Sequence, residues 1–283
     1  MSEFATPTPI DLAIDLQVGS IEVVAAERTD TVVTVTPTNP SKAVDRRGAD
    51  NTRVEFDGER LTVIGPKARI SFFGPTESIE VKVELPQGSR FTAELAAGSL
   101  RTRGDLGAVR IKSSMGPVEL DSVEDLWVRA GHGNATVATA LGNIDITADH
   151  GQIRLGTVVG DATVKASHGS IMVRESGTDL DAKLSYGDLD IEKSLGAVSA
   201  KTAYGSITLH EVCSGAVQVE SGYGQITVDV QRGVPAWLDL SSKDGHVRNE
   251  LTPEGAPDET EESVTIRART RYGDIAIRHT QHS

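Results

Sequence analysis

Apolar and polar residues alternate along most of this chain, and the alternation returns on a fixed short period. It is seen in Gly116-Pro-Val118-Glu-Leu120, Gly133-Asn-Ala135-Thr-Val137 and Gly151-Gln-Ile153-Arg-Leu155. It continues in Gly169-Ser-Ile171-Met-Val173, Gly187-Asp-Leu189-Asp-Ile191, Gly205-Ser-Ile207-Thr-Leu209 and Gly224-Gln-Ile226-Thr-Val228. The leading glycines lie 17, 18, 18, 18, 18 and 19 residues apart. A second series runs halfway between them, from Gly107-Ala-Val109 through Gly142-Asn-Ile144, Gly160-Asp-Ala162 and Gly196-Ala-Val198 to Gly215-Ala-Val217. Glu124 and Thr178 stand where two of its glycines would fall.

Alternation over five or six positions is the mark of a strand with one buried face. The leading glycine suits a turn that needs positive φ or close backbone approach. A unit of about nine residues leaves no room for a crossover helix. Two short strands per period, each paired with its equivalent one period later, make a parallel β-solenoid of about 18 residues per coil. A sandwich of antiparallel hairpins is the alternative, but its turns need not hold a constant period.

Before the regular repeat, Ile10 to Val18 alternates cleanly and Gly19-Ser-Ile21-Glu-Val23 matches the unit. Arg53–Phe56 and Arg60–Ile64 flank Asp57-Gly58 and read as a hairpin. Ile79 to Leu85 is a strand ended by Pro86, and Ser41 to Thr52 reads as an exposed loop. Residues 1–90 are expected to form irregular β coils that cap an open sheet end. Residues 91–283 are expected to form the solenoid, continuous with the cap as one domain. Thr252 to Ser263 reads as a solvated loop inserted in the last coil, and no segment has helical periodicity.

Stacking turns sequence spacing into columns. The residues before the leading glycines are Met115, His132, His150, His168, Tyr186, Tyr204 and Tyr223, joined by Tyr272. Strand parity places them on the inward side at one corner, with rings stacked at about 4.8 Å. The opposite corner carries Leu106, Leu141, Val159, Leu195 and Cys213. Of the column, His132, His150 and His168 are the candidates for a metal, since imidazole suits zinc, copper or nickel. Stacking spaces such rings too widely for shared ligation, and no metal or other cofactor is expected. Outward positions give a basic stripe of Arg129, Lys165, Lys183 and Lys201, beside an acidic one with Asp125, Asp161 and Asp179. Trp127 lies between Asp125 and Arg129. Trp127, Arg129, Lys165, Lys183 and Lys201 are the candidate binding residues.

Composition narrows the function. The 283 residues hold 28 Lys and Arg against 41 Asp and Glu, a net charge of −13. That argues against a general nucleic-acid binder, which needs clustered cations. No run of about 18 apolar residues is present to span a bilayer as a helix. The N-terminal stretch has neither a basic nor an apolar signal region, so a cytoplasmic setting is expected. A single cysteine excludes an internal disulfide and a cysteine-built zinc site. No nucleophile elbow, P-loop or dinucleotide fingerprint is present.

The Tyr/His-Gly-x-Ile-x-Val units, such as Tyr204-Gly-Ser-Ile-Thr-Leu209 and His168-Gly-Ser-Ile-Met-Val173, resemble a bacterial β-strand-repeat family of unknown function labelled "putative adhesin". Leu85-Pro86-Gln-Gly88-Ser89 after the Ile79 strand also fits. The resemblance covers nearly the whole chain, most firmly residues 78–230, and is nearest to cytoplasmic actinobacterial members. It implies a β-helix-like fold, no catalysis and no catalytic residues to carry over.

The expectation is therefore a non-catalytic β-solenoid binding or scaffold protein whose partner is another protein. One alternative is a self-assembling, filament-type β-helix protein. Another is a β-helical carbohydrate-active enzyme using Asp145, Asp161, Lys165, Asp181 and Lys183.

Overall fold

The computed structural model describes residues 1–67, 77–251 and 263–280. It is an all-β solenoid with one short helix, divided into two compact units, Met1–Thr139 and Ala140–Ser283.

The first unit contains β1 (Ser2–Ala5), β2 (Asp11–Ala26), β3 (Asp30–Pro37), α1 (Ala43–Asp50), β4 (Arg53–Phe56), β5 (Arg60–Ile64) and β6 (Ile79–Pro86). It continues with β7 (Arg90–Arg103), β8 (Asp105–Leu106), β9 (Val109–Met115), β10 (Val118–Val123), β11 (Leu126–His132) and β12 (Ala135–Ala140). The long strands β2 and β7 are each a whole coil. They turn the corner at Gly19 and Gly98, with φ of +143° and +144°. β2 pairs in parallel with β5 and β6 on one side and β7 on the other. β7 then carries β9 and β10, and β9 carries β11, all in parallel.

The beginning of this unit is closed by antiparallel additions. β4 covers β5, β3 covers β6, and β1 covers β3. The rings of Phe4 on β1 and Phe56 on β4 meet at 5.1 Å. Strand direction is thus reversed beside β5 and β6, in contrast to the parallel stacking of the later coils.

α1 corrects the exposed loop expected over Ser41–Thr52. Its alternation is too short to show a helical period, and its anchor is remote in sequence. Asp45 is buried and accepts from the backbone N–H of Asn39 and of Ser78, both at 3.2 Å. Arg47 pairs with Glu77 at 2.8 Å. Among the described residues no helix is long and apolar enough to cross a membrane.

The second unit contains β13 (Ile144–His150), β14 (Ile153–Val158), β15 (Ala162–His168), β16 (Ile171–Ser176), β17 (Leu180–Tyr186), β18 (Leu189–Ser194) and β19 (Val198–Tyr204). β20 (Ile207–Val212), β21 (Gly215–Tyr223), β22 (Ile226–Val230), β23 (Ala236–Asp244), β24 (Val247–Asn249), β25 (Val264–Tyr272) and β26 (Ile275–His279) complete it. Each coil is one pair, and successive pairs from β13/β14 to β21/β22 stack in parallel, with one register shift, between Leu209 and Val212 where β20 meets β22. The inward row of Leu155, Val173, Ile191 and Leu209 is buried, as are Val118 and Val137 in the first unit. Arg154 and Met172 are exposed as the parity requires, and Asp190 is half-exposed.

Chain order fails at the last two coils. β25 and β26 pair with β21 and β22, while β23 and β24 pair with the far side of β25 and β26. The chain therefore lays down its outermost coil first and then slides the final one inside it. The expected loop over 252–263 lies largely outside the described residues.

The leading glycines are obligatory for a packing reason. Gly205 has φ of +148°, and a Cβ there would lie 2.0 Å from the carbonyl oxygen of Gly187. Gly187 stands in the same relation to Gly169, at 2.1 Å. Backbone lies directly on backbone at this corner, so no L side chain fits.

The same corner overturns the expected burial of the aromatic column. Tyr186, Tyr204, Tyr223 and Tyr272 are 42–49% exposed, and His132, His150 and His168 are exposed. Strand parity ends one residue early because the positive-φ glycine swings the preceding side chain off the core. The last inward position is instead the residue two before the aromatic. Thr202, Ser221 and Thr270 fill it in three coils, and their hydroxyls donate to the carbonyls of Gly187, Gly205 and Gly224 at 3.3, 2.9 and 3.1 Å. At the opposite corner Leu141, Val159 and Leu195 are also exposed, whereas Leu106 and Cys213 are buried.

Candidate binding face

On the outward face of the second unit, the sheet of β13, β15, β17, β19, β21 and β25 aligns one side chain per coil. One row reads Thr147, Lys165, Lys183, Lys201, Glu220 and Arg269. Two positions further along, β15, β17, β19 and β21 carry the small residues Ser167, Ser185, Ala203 and Gly222, whereas β25 carries Arg271. Next is the ring column. His150, His168, Tyr186, Tyr204, Tyr223 and Tyr272 stack with centroids 4.7–5.1 Å apart and planes within 11° of parallel. Their faces cover one another, so the column presents ring edges and tyrosine hydroxyls to solvent.

Large side chains on both sides of a small-residue floor make a groove. It encloses about 590 Å³ where Lys201, Tyr204, Tyr223, Lys243, Arg269 and Arg271 surround Ala203 and Gly222. Gly222 keeps the floor low, because a Cβ there would come 2.5 Å from the carbonyl oxygen of Ala203. Four cations line this hollow against one carboxylate, Glu220, which Lys201 engages at 3.0 Å. Arg269 reaches Asp239 at 3.4 Å. A cationic hollow on a chain of net charge −13 is a local reversal of the field. Low-dielectric walls focus such a field on an incoming anion.

The far margin of the same sheet has the opposite character. A hollow of about 370 Å³ there is lined by Asp161, Asp179 and Asp181. Two of the turn residues at this margin bind backbone. Asn143 accepts from the N–H of Asp161 at 3.0 Å, and Asp179 from that of Ala197 at 3.3 Å. Asp181 accepts from Lys183 Nζ at 2.9 Å. These contacts tie the acidic stripe into the ladder and join it to the lysine row. Asp145 falls in one row with Asp181, two positions from that of Lys165 and Lys183.

The sequence-expected residues fall into three places. Lys165, Lys183 and Lys201 form one exposed row in the second unit, and only Lys201 reaches the basic groove. Trp127 and Arg129 belong to the first unit. Trp127 is half-buried rather than exposed, because the guanidinium carbons of Arg110 and Arg129 sit 3.7 and 4.5 Å from its ring centroid. Both guanidinium groups engage the indole as cation–π partners. His150 and His168 stack at 4.8 Å with rings 4° from parallel. Parallel rings aim their nitrogen lone pairs side by side, whereas shared ligation needs them to converge within about 2.0–2.1 Å of one ion.

Sequence reasoning missed Lys243, Arg269 and Arg271. They reach the groove because β25 lies between β21 and β23, an order that the 18-residue period does not encode. The signal that could have found them is the column itself: Tyr272 stacks on Tyr223, so its coil must follow directly.

A family model described as Toastrack DUF4097 matches residues 11–282. No curated protein matches the sequence. Among solved structures, the chain is similar to a putative cell adhesion protein from Clostridium sporogenes, at 12% identity over 98% of this chain and 99% of that one, with a TM-score of 0.27. A putative adhesin from Parabacteroides merdae matches at 11% identity over 99% and 95% of the two chains, with a TM-score of 0.34. One from Bacteroides fragilis matches at 13% identity over 98% and 95%, with a TM-score of 0.31.

Proposed function

This chain belongs to the Toastrack DUF4097 family of β-solenoids, and on that premise we propose that it is a non-catalytic binding module that holds an acidic, extended segment of another protein along its outer sheet. The observation that carries this reading is the groove beside Tyr204 and Tyr223, with four cations to one carboxylate in its lining. An extended acidic strand fits a straight trough with a basic wall on one side and hydroxyls on the other. The coil-to-coil ladder holds these side chains in place, so little order has to be created on binding.

The reading includes a cytoplasmic setting. Cell fractionation tests this placement, and recovery in the medium or the envelope would reject it.

The binding test uses a fluorescein-labelled poly-glutamate peptide and polarisation. The expected result is saturable binding that weakens as salt rises from about 0.05 to 0.5 M, since exposed charges are screened. Combined Lys201→Ser, Lys243→Ser and Arg271→Ser should reduce it at least about tenfold with the melting temperature little changed. Undiminished binding by that variant would remove the groove from consideration.

A further inference from the structure

We propose that the outermost coil of the second unit is a self-association surface, through which two copies pair with their β23 strands antiparallel about a twofold axis at Leu240. This goes beyond the groove, with which it shares one residue, Lys243.

Among the described residues β23 pairs only with β25, and β24 only with β26. One edge of each therefore carries backbone donors and acceptors with no strand against them. Such an edge is a template for another strand unless it is blocked. Blocking is weak here. β23 has no proline and one lysine, Lys243. Its inward side chains Leu238 and Leu240 are half-exposed, whereas Ile266 and Ala268, their partners on β25, are wholly buried. Trp237 is 63% exposed and Val247 on β24 is 44% exposed. The apolar end of the core is thus uncovered together with its edge.

The sequence of β23 is complementary to itself when read backwards. With Leu240 on the axis, Leu240 meets its own copy, Leu238 faces Ser242, and Asp239 faces Ser241. Trp237 faces Lys243 twice, in cation–π geometry. Shifting the axis to Asp239 sets two carboxylates opposite each other, which is unfavourable. Shifting it to Ser241 places Leu238 against Asp244. Because Asp239 is already engaged by Arg267 at 2.9 Å and Arg269 at 3.4 Å, it needs no partner across the axis. An axis perpendicular to both sheets pairs β24 with its copy at the same time. An isologous contact of this kind closes at two.

Sedimentation velocity over a concentration series tests the proposal. The wild-type chain should pass from its 30.0 kDa monomer to a species of twice that mass and no larger. Trp237→Lys should weaken association at least about tenfold, by facing Lys243 with a like charge. Adding Lys243→Glu to that variant should restore it. In a Cys213→Ser background, Leu240→Cys should form an intermolecular disulfide under mild oxidation, and Lys243→Cys should not. Both exposed-site variants are read only with a native circular dichroism spectrum, and the charge-swapped pair supplies its own folding control. A monomer at every concentration, a series of species beyond the dimer, or a Trp237→Lys variant that associates as well as wild type would each overturn the proposal. So would uptake of an added acidic peptide by the β23 edge in place of a second copy.

Discussion

The coil of β17 and the coil of β23 carry the same alternation and meet opposite fates. Leu180, Ala182 and Leu184 on β17 are buried, with a neighbouring coil on each side. Leu238 and Leu240 on β23 have a neighbour on one side among the described residues and stay half-exposed. Alternation decides which side chains turn inward. The second neighbour decides whether turning inward removes them from water. Since full burial of a large apolar side chain is worth about 1.5–3 kcal/mol, the same residue type stabilises an inner coil far more than the outermost one.

The corner glycines give the widest separation between the two regions. Gly205→Ala should destabilise by more than about 3 kcal/mol, because strain at positive φ is joined by a clash with the Gly187 backbone. Gly233, in the turn before β23, has φ of +80° and open space around it. Gly233→Ala should therefore cost about 1–2 kcal/mol, from backbone strain alone. Equal losses in urea titration would contradict the stacked-backbone explanation.

Core truncation should separate them next. Ile191→Ala is expected to cost about 2–5 kcal/mol, and Leu240→Ala about 1 kcal/mol or less, measured on dilute monomer. A large loss at Leu240 would mean that the outermost coil is better covered than its exposure indicates.

The ring column gives a smaller difference. Tyr204 has an aromatic ring on both faces, while Tyr272 has Tyr223 on one side and Asp244 beyond. At about 0.5–1.5 kcal/mol per stacked pair, Tyr204→Ala should cost about twice as much as Tyr272→Ala. Thermal or chemical denaturation of the two variants would check the ratio.

The smallest effect is acid loosening of the outermost coil. Asp274 accepts from the backbone N–H of His246 at 2.8 Å, and this bond, ahead of the nearby charges, holds its carboxyl below the ordinary 3.8. A carboxyl lowered by folding stabilises fully above its unfolded value and loses that contribution as pH falls through the folded one. The protection of the amides at Val247–Asn249, taken relative to the intrinsic exchange rate at each pH, should therefore fall below about pH 4, and Asp274→Asn should flatten that dependence. An unchanged pH profile in the variant would show that Asp274 is not the fastener.

Much of the fold was legible because stacking constrains sequence so tightly. Backbone-on-backbone contact admits only glycine, and that writes the period into the chain as Gly133, Gly151, Gly169, Gly187 and Gly205. Inward parity was equally plain at Val173 and Ile191. What could not be read depends on geometry that parity ignores. The tyrosines point outward because a positive-φ corner cuts the alternation short. α1 is fixed by Asp45 reaching Ser78, a contact 33 residues apart that leaves no local pattern. Of the candidate site, the lysine row was legible as a column. The groove was not, since Lys243, Arg269 and Arg271 join it through a strand order that no period specifies.

That strand order also sets a problem in vectorial synthesis. N-terminal segments leave the ribosome first, at about 5–20 residues per second, and each coil up to β21/β22 emerges onto a finished template. β23 emerges while β21, the strand that belongs to β25, still lacks that partner. It must either wait or dock one place too early and later give way. The outcome turns on the two inward rows, and Val264, Ile266 and Ala268 compete against Ala236, Leu238 and Leu240 for one berth. A chain released before residue 264 would keep the early docking, with Asp244 in the place that Tyr272 takes beside Tyr223. The ring column would then record, in a near-ultraviolet spectrum, whether translation ran to its end.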